Sequence, residues 1–192
     1  NPVDALFEIV SGFTTTGSSV LLDVESVHRA VLIWRSFSHW VGGMGVLVFM
    51  LALLPMGGAS SMHLMRAESP GPSVGKLVPK VRSTAKILYE IYFFLTIVLM
   101  ILLVISGCPV FDSINLAFAT AGTGGFAVLN SSAADYNAAT QWILTIFMIL
   151  FGVNFNVYFL FYVKKWKDGL RCEEARAYLG IILGSVALIS FW

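Results

Sequence analysis

Phe13-Thr14-Thr15-Thr16-Gly17-Ser18-Ser19 has an altered counterpart farther along the chain, Thr120-Ala121-Gly122-Thr123-Gly124-Gly125-Phe126. Each copy sits between a short apolar segment and a long one. A Thr-rich, glycine-centred run at membrane depth suits backbone carbonyls that replace an ion's water shell, as in potassium selectivity filters. One such run alone is explained equally well by a turn after a short interfacial helix. Two runs, each mounted on its own short apolar segment, point to half of an ion pore.

Composition sets the class. The 192 residues are 57% hydrophobic and 12% charged, against roughly 45–50% and about 25% for soluble domains. The chain therefore reads as an all-α membrane protein, with the lipid bilayer as its first partner. The net charge of +1 says little; its placement says more. Cys108 and Cys172 flank a predicted span and face opposite sides of the bilayer, so no disulfide and no C-x-x-C chemistry is expected. The three histidines are too scattered for a metal site, no nucleophile and base stand at enzymatic spacing, and no cofactor and no nucleic-acid partner is expected. A start at Asn1 and a stop at Phe191-Trp192 inside an apolar run read as cuts through a longer polypeptide.

A helical span needs about 20 apolar residues. Ala30 to Leu54, Thr84 to Ser106 and Ala139 to Val163 are long enough, and Ala177 to Trp192 reads as the start of another. Val3 to Gly12 and Val110 to Thr120 are too short to span and suit re-entrant half-helices. Ten of the twelve Lys and Arg lie in two stretches, Arg66 to Lys86 and Lys164 to Arg176. The connection from Gly107 to Ala138 has none. The positive-inside rule then puts both basic stretches in the cytoplasm and both Thr/Gly runs outside. The division is 1–55 (half-helix, filter, long helix), 56–82 (irregular linker), 83–163 (a complete second unit), 164–176 (cytoplasmic loop) and 177–192 (start of a third unit).

A shift of 107 residues aligns Pro2 with Pro109, Thr16 with Thr123, Gly17 with Gly124, and Gly45-Val46 with Gly152-Val153. Identity is sparse, but the order of parts repeats, as is usual in transport proteins. A half-helix entering from outside turns the negative end of its dipole to the bilayer centre, which favours a cation. The extended backbone of Thr14, Thr15, Thr16, Gly17 and Ser18 then climbs outward. Non-helical backbone at that depth must be buried in protein or line a water-filled cavity.

These motifs carry a specific resemblance. Phe7-Glu8-Ile9-Val10-Ser11-Gly12-Phe13-Thr14-Thr15-Thr16-Gly17, Leu32-Ile33-Trp34-Arg35-Ser36, His39-Trp40-Val41-Gly42-Gly43-Met44-Gly45, Met65-Arg66-Ala67-Glu68-Ser69-Pro70-Gly71, Thr123-Gly124-Gly125-Phe126 and Gly152-Val153-Asn154-Phe155-Asn156 resemble the Trk/Ktr/HKT superfamily of potassium transporters, TrkH type, along the whole chain. The resemblance implies repeated M1-P-M2 units, with re-entrant pore half-helices and extended filter loops. Four units close the pore, and two of the filters are here. It also implies potassium uptake across the cytoplasmic inner membrane by a multi-pass protein. Potassium would be held mainly by backbone carbonyls of Thr14, Thr15, Thr16, Gly17 and Ser18 and of Ala121, Gly122, Thr123, Gly124 and Gly125, with Gly17 and Gly124 as filter glycines. A Ser at the first of these goes with sodium preference in some plant relatives, so Gly17 argues for potassium. The remaining pore units, a homodimer partner and a TrkA-like cytoplasmic nucleotide-binding regulatory ring are the implied partners.

Other residues have two readings each. Arg35 lies within a span, where a charge costs about 2.5–3.5 kcal/mol; it either pairs with Glu8 or snorkels outward. His39 is expected to be packed and hydrogen-bonded rather than a proton relay. Asn154 and Asn156 line a cavity or bond between helices. Gly42, Gly43 and Gly45 are expected to permit close packing. Asp23, Glu25 and Asp135 concentrate cations at the mouth or are simply solvated. The competing functions are a sodium-selective or sodium-coupled transporter and a non-conducting membrane fragment or subunit.

Overall fold

The computed structural model describes residues 2–45, 81–164 and 166–191. Among them are eight helices and no strand: α1 Pro2–Phe13, α2 Arg29–Gly43, α3 Val81–Ile105, α4 Val110–Ala121, α5 Ala138–Gly152, α6 Phe155–Tyr162, α7 Trp166–Leu170 and α8 Glu173–Ser190. The stretch expected to hold the linker and the end of the first span, 46–80, lies outside the described residues, as does the family-like segment at 65–71.

The two short apolar stretches form twelve-residue helices, α1 and α4. At 1.5 Å per residue each is about 18 Å long, well short of a hydrocarbon core of about 30 Å. In α3, Ala85–Ile105 has a mean hydropathy of 2.6 and is long and apolar enough to cross a membrane. Its buried Tyr92, Thr96, Leu99 and Leu103 recur at helical spacing and face the core. Helix α2 packs on α1 and α4, and α4 also packs on α3 and α5. Trp40 of α2 lies at the junction: its indole Nε1 donates to Thr96 Oγ1 at 3.1 Å, and Tyr92 OH donates back to the Trp40 carbonyl at 2.9 Å. Both bonds are buried, so the aromatic core has a fixed orientation as well as a volume.

Three expectations are corrected. In the span expected over Ala30 to Leu54, the first helix ends at Gly43: Met44 caps it and Gly45, at φ +71°, turns the chain out of it, while 46–54 lie outside the described residues. The span expected over Ala139 to Val163 is broken, because Val153 is extended (ψ 140°) and helix resumes at Phe155. Helix ends leave carbonyls without intrahelical partners. Here Tyr158 OH donates to the Leu150 carbonyl at 2.7 Å and Tyr178 OH to that of Ile149 at 3.3 Å, so two phenols sustain the break. Lastly, Val81 and Arg82, at the end of the expected linker, belong to the first turn of α3.

Helix contacts are close because glycines meet there. A Cβ on Gly12 would overlap Ser38 Oγ, and one on Gly42 would overlap the Phe13 carbonyl. One on Gly43 would lie 2.5 Å from Tyr92 OH and 2.9 Å from Gly122 Cα. Gly45 differs: none of the described residues lies within 4 Å of where its Cβ would be, and its φ is positive. Replacing Gly42 by Ala should therefore destabilise by about 1–3 kcal/mol, the usual cost of overpacking. Thermal unfolding in detergent checks this; an unchanged melting temperature would remove the close-approach argument.

Candidate ion-binding site

Both short helices end at a left-handed threonine. Thr15 N–H bonds to the Gly12 carbonyl at 3.0 Å and Thr16 N–H to that of Ser11 at 3.0 Å, the paired closure of a Schellman motif. The left-handed residue of that motif is usually glycine; here it is Thr15, at φ +54°. Helix α4 ends with Thr123 N–H on the Thr120 carbonyl at 2.9 Å, and Thr123 has φ +58°. Two residues on, φ is again positive at Gly17 (+73°) and at Gly125 (+84°). The backbone register of the two runs is thus 108, pairing Thr15 with Thr123 and Gly17 with Gly125. The register of 107, with Gly124 opposite Gly17, is corrected: Gly124 is not a positive-φ residue, and the helix ends Phe13 and Ala121 match the new pairing.

The expected site residues fall into three groups. Thr14 and Thr15, like Gly122 and Thr123, form the turns that close the helices, so the extended stretch begins later than Thr14. Thr14 Oγ1 donates to the Val10 carbonyl at 2.7 Å and lies 2.8 Å from Thr16 Oγ1. Thr16, Gly17, Gly124 and Gly125 lie where the chains leave the turns. Ala121 is the buried last residue of α4, its carbonyl 3.1 Å from where a Gly43 Cβ would lie. The Ser18 carbonyl accepts from Ser11 Oγ at 2.6 Å. The Ser18 carbonyl is thus tied to the scaffold, and that of Ala121 lies close against α2.

The loops touch directly. A Cβ on Gly17 would overlap the Gly124 carbonyl oxygen and lie 2.7 Å from its carbon. A Cβ on Gly124 would lie 3.0 Å from the Thr15 carbonyl. Behind them is a buried ion pair: Arg35 Nε donates to Glu8 Oε2 at 2.6 Å, with the residues 5% and 8% exposed. Of the two readings of Arg35, pairing holds. Glu8 Oε1 accepts from Ser19 Oγ at 2.8 Å and Val20 N–H at 2.7 Å, anchoring the outer end of the first run. Arg35 Nη1 donates to the Ala127 carbonyl at 3.3 Å, and its guanidinium lies 3.7 Å from the Phe126 ring centroid. One ion pair therefore holds both runs.

A second tie joins the outer loops. Asn130 accepts from Val24 N–H at 2.8 Å, donates its side-chain amide to Asp23 Oδ1 at 2.8 Å, and donates its N–H to Glu25 Oε1 at 3.0 Å. Asp135 accepts from Ser131 Oγ at 2.5 Å. Asp23 and Glu25, expected as mouth or solvated charges, form an inter-loop clasp; Asn130, which completes it, was not singled out in the sequence. Its signal was its place in the equivalent outer loop. Asn154 donates to Glu174 of α8, favouring the interhelical reading. The Asn156 side chain lies outside the description. His39 is fully buried as expected, but among the described residues neither ring nitrogen meets a hydrogen-bond partner.

Residues 2–184 match the TrkH family of cation transport proteins. The chain belongs to the TrkH family. It is 37% identical over 188 residues to the Trk system potassium uptake protein TrkH of Salmonella typhimurium, covering 96% of this chain and 39% of that protein. It is 36% identical over 192 residues to TrkG of Escherichia coli, covering 98% and 40%. The crystal structure of the potassium transporter TrkH from Vibrio parahaemolyticus superposes with a TM-score of 0.68 at 30% identity, covering 85% of this chain and 32% of that one. The chain thus spans about two fifths of the length of the curated relatives it matches. As a TrkH-family chain it is an all-helical membrane protein.

The second half of the chain replaces the ion pair. By the matched helix ends, Glu8 corresponds to Leu116 and Arg35 to Leu144, both buried. Arg35→Leu alone should destabilise by about 3–5 kcal/mol, because it strands a buried carboxylate. The double variant Glu8→Leu with Arg35→Leu should recover part of that loss, read as membrane accumulation and thermal unfolding; a double variant worse than the sum of the singles would contradict it.

The clasp has a pH signature. The hydrogen bond from Asn130 holds the Asp23 carboxyl below its ordinary value. A group lowered in this way contributes stability that is complete above its unfolded pKa and lost as pH falls through the folded one. Hydrogen-exchange protection of the Val24 amide should persist to mildly acidic pH and fall only below the ordinary aspartate range. In Asn130→Ala it should be low at every pH.

Proposed function

We propose that this chain supplies two of the four filter-bearing units of a potassium uptake pore, and that further units complete it. The observation that carries the reading is the pair of helix-mounted loops in contact at Gly17 and Gly124, with the same alternation of backbone hand at Thr15/Gly17 and Thr123/Gly125. Such alternation lets successive carbonyls face one side, as dehydrated-ion coordination requires. Thr14 to Gly17 and Gly122 to Gly125 line the ion path, with Ser18 and Ala121 fixing the ends of the runs to the scaffold. The C-termini of α1 and α4 add the negative ends of two helix dipoles beneath the ion. Relatives named as potassium uptake proteins support the choice of cation.

The exposed apolar side chains support the incomplete pore. Leu6 and Val10 of α1, and Ile181, Leu183, Leu188 and Ile189 of α8, are exposed among the described residues, and further units and lipid cover them. The protein works as a multi-pass component of the cytoplasmic membrane, and as a transporter rather than an enzyme. Uptake is driven by the membrane potential, which is worth about 2.3 kcal/mol per elementary charge per 100 mV. A homodimer partner and a cytoplasmic nucleotide-binding ring complete the assembly.

The test is Gly17→Ser in the complete pore. The substitution puts a side chain at φ +73° against the Gly124 carbonyl, so potassium uptake should fall and the sodium-to-potassium ratio rise by about tenfold, the effect of a small change in differential binding. Tracer uptake with each cation in a potassium-uptake-deficient bacterium measures it, and unchanged ratios would count against the filter assignment.

A further inference from the structure

The loops are held from behind by a ring. His39 of α2 is 0% exposed, one turn beyond Arg35, and its packing partners are loop backbone as well as core side chains. A Cβ on Gly122 would overlap its Cδ2 and lie 2.7 Å from its own carbonyl oxygen. A Cβ on Gly124 would overlap the Cε1–Nε2 edge. One imidazole therefore occupies the space that two glycines leave. Across the loop, Gly124 is itself against Gly17, whose missing Cβ would lie 3.1 Å from Gly124 Cα. The order α2, imidazole, Gly124, Gly17 is a continuous stack with no slack, as expected of protein interiors packed like crystals.

We propose that His39 is the spacer that sets the separation of the two loops and, through it, the discrimination between potassium and the smaller sodium ion. The inference rests on the pore reading above. The ring is oriented by an edge-on contact with Phe126, centroids 4.8 Å apart, and Phe126 is in turn covered by the Arg35 guanidinium. Among the described residues neither ring nitrogen makes a hydrogen bond within ordinary geometry, so the thickness and position of the ring, set by its packing against the loop backbone and Phe126, are what reach the loop. A residue that only filled the core would face core side chains. This one faces the backbone of the run that touches Gly17. His39 is a positioning residue, acting on the ion through Gly124.

The experiment places His39→Asn and His39→Phe in the complete pore beside Gly17→Ser, and measures potassium and sodium uptake normalised to membrane abundance. The smaller Asn should let Gly124 fall back, raising the KM for potassium more than it lowers the maximal rate and shifting the sodium-to-potassium ratio by about tenfold. The bulkier Phe should press Gly124 toward Gly17 and lower the maximal rate. If Phe prevents insertion, Asn decides alone. Reduced abundance with unchanged ion ratio in Asn would make His39 a packing residue only and overturn the proposal. A ratio that moves with Gly17→Ser but not with His39→Asn refutes the spacer and leaves the filter standing; a ratio that moves with neither refutes both.

Discussion

The Glu8–Arg35 ion pair is the constraint on which the site depends. A buried charge is expensive unless paired, and the pairing here commits four segments at once. Glu8 lies on α1, Arg35 on α2, and their remaining hydrogen-bonding capacity goes to Ser19 and Val20 in one run and Ala127 in the other. Neither charge can move without releasing a loop. A buried pair is weak support for stability, because apolar residues fill the same volume with no desolvation penalty. Leu116 and Leu144 in the second half do so. The pair is better understood as a device for register: it fixes where two otherwise irregular backbones lie relative to each other.

Glycine supplies the second half of that device by removing side chains where segments must meet. Gly12 and Gly42 seat α1 on α2, and Gly43 with Gly122 seats α2 against the end of α4. Gly17 and Gly124 then bring the two runs into contact. Arg35 and the glycines act in one direction. Electrostatics holds the outer ends of the runs, and close packing holds their inner ends. The Asn130 clasp ties the loops beyond them.

Much of this was legible in the sequence, for identifiable reasons. Apolar length separated half-helices from spans, and the cost of a lone charge in a span pointed from Arg35 to Glu8. What escaped depends on local backbone geometry. The span through Gly152-Val153-Asn154 reads as one continuous apolar run because Val153 breaks it by conformation, and the phenols that sustain the break come from Tyr158 and from Tyr178 on another helix. The repeat register was misread because Thr123-Gly124 mimics Thr16-Gly17 letter for letter, whereas the helix ends place Thr123 opposite Thr15. The role of Asp23 and Glu25 was missed because their partner, Asn130, is more than a hundred residues away and carries no charge.

The two left-handed threonines show why the loops need so much support. A β-branched residue at positive φ is strained, at a cost of order 1–3 kcal/mol per site, and the chain accepts it twice, at Thr15 and Thr123. Glycine at either place would relieve the strain and close the helix equally well. It would also leave the turn free to relax, since a glycine there has many alternatives of similar energy. A threonine held in this conformation has few. The hydroxyl of Thr14 on the Val10 carbonyl, that of Ser11 on the Ser18 carbonyl, and the ion pair behind them over-determine the first turn, so it cannot escape into a relaxed form. On the proposed reading of the loops as a filter, a strained residue locked by its surroundings holds the carbonyls more stiffly than an unstrained one left to itself.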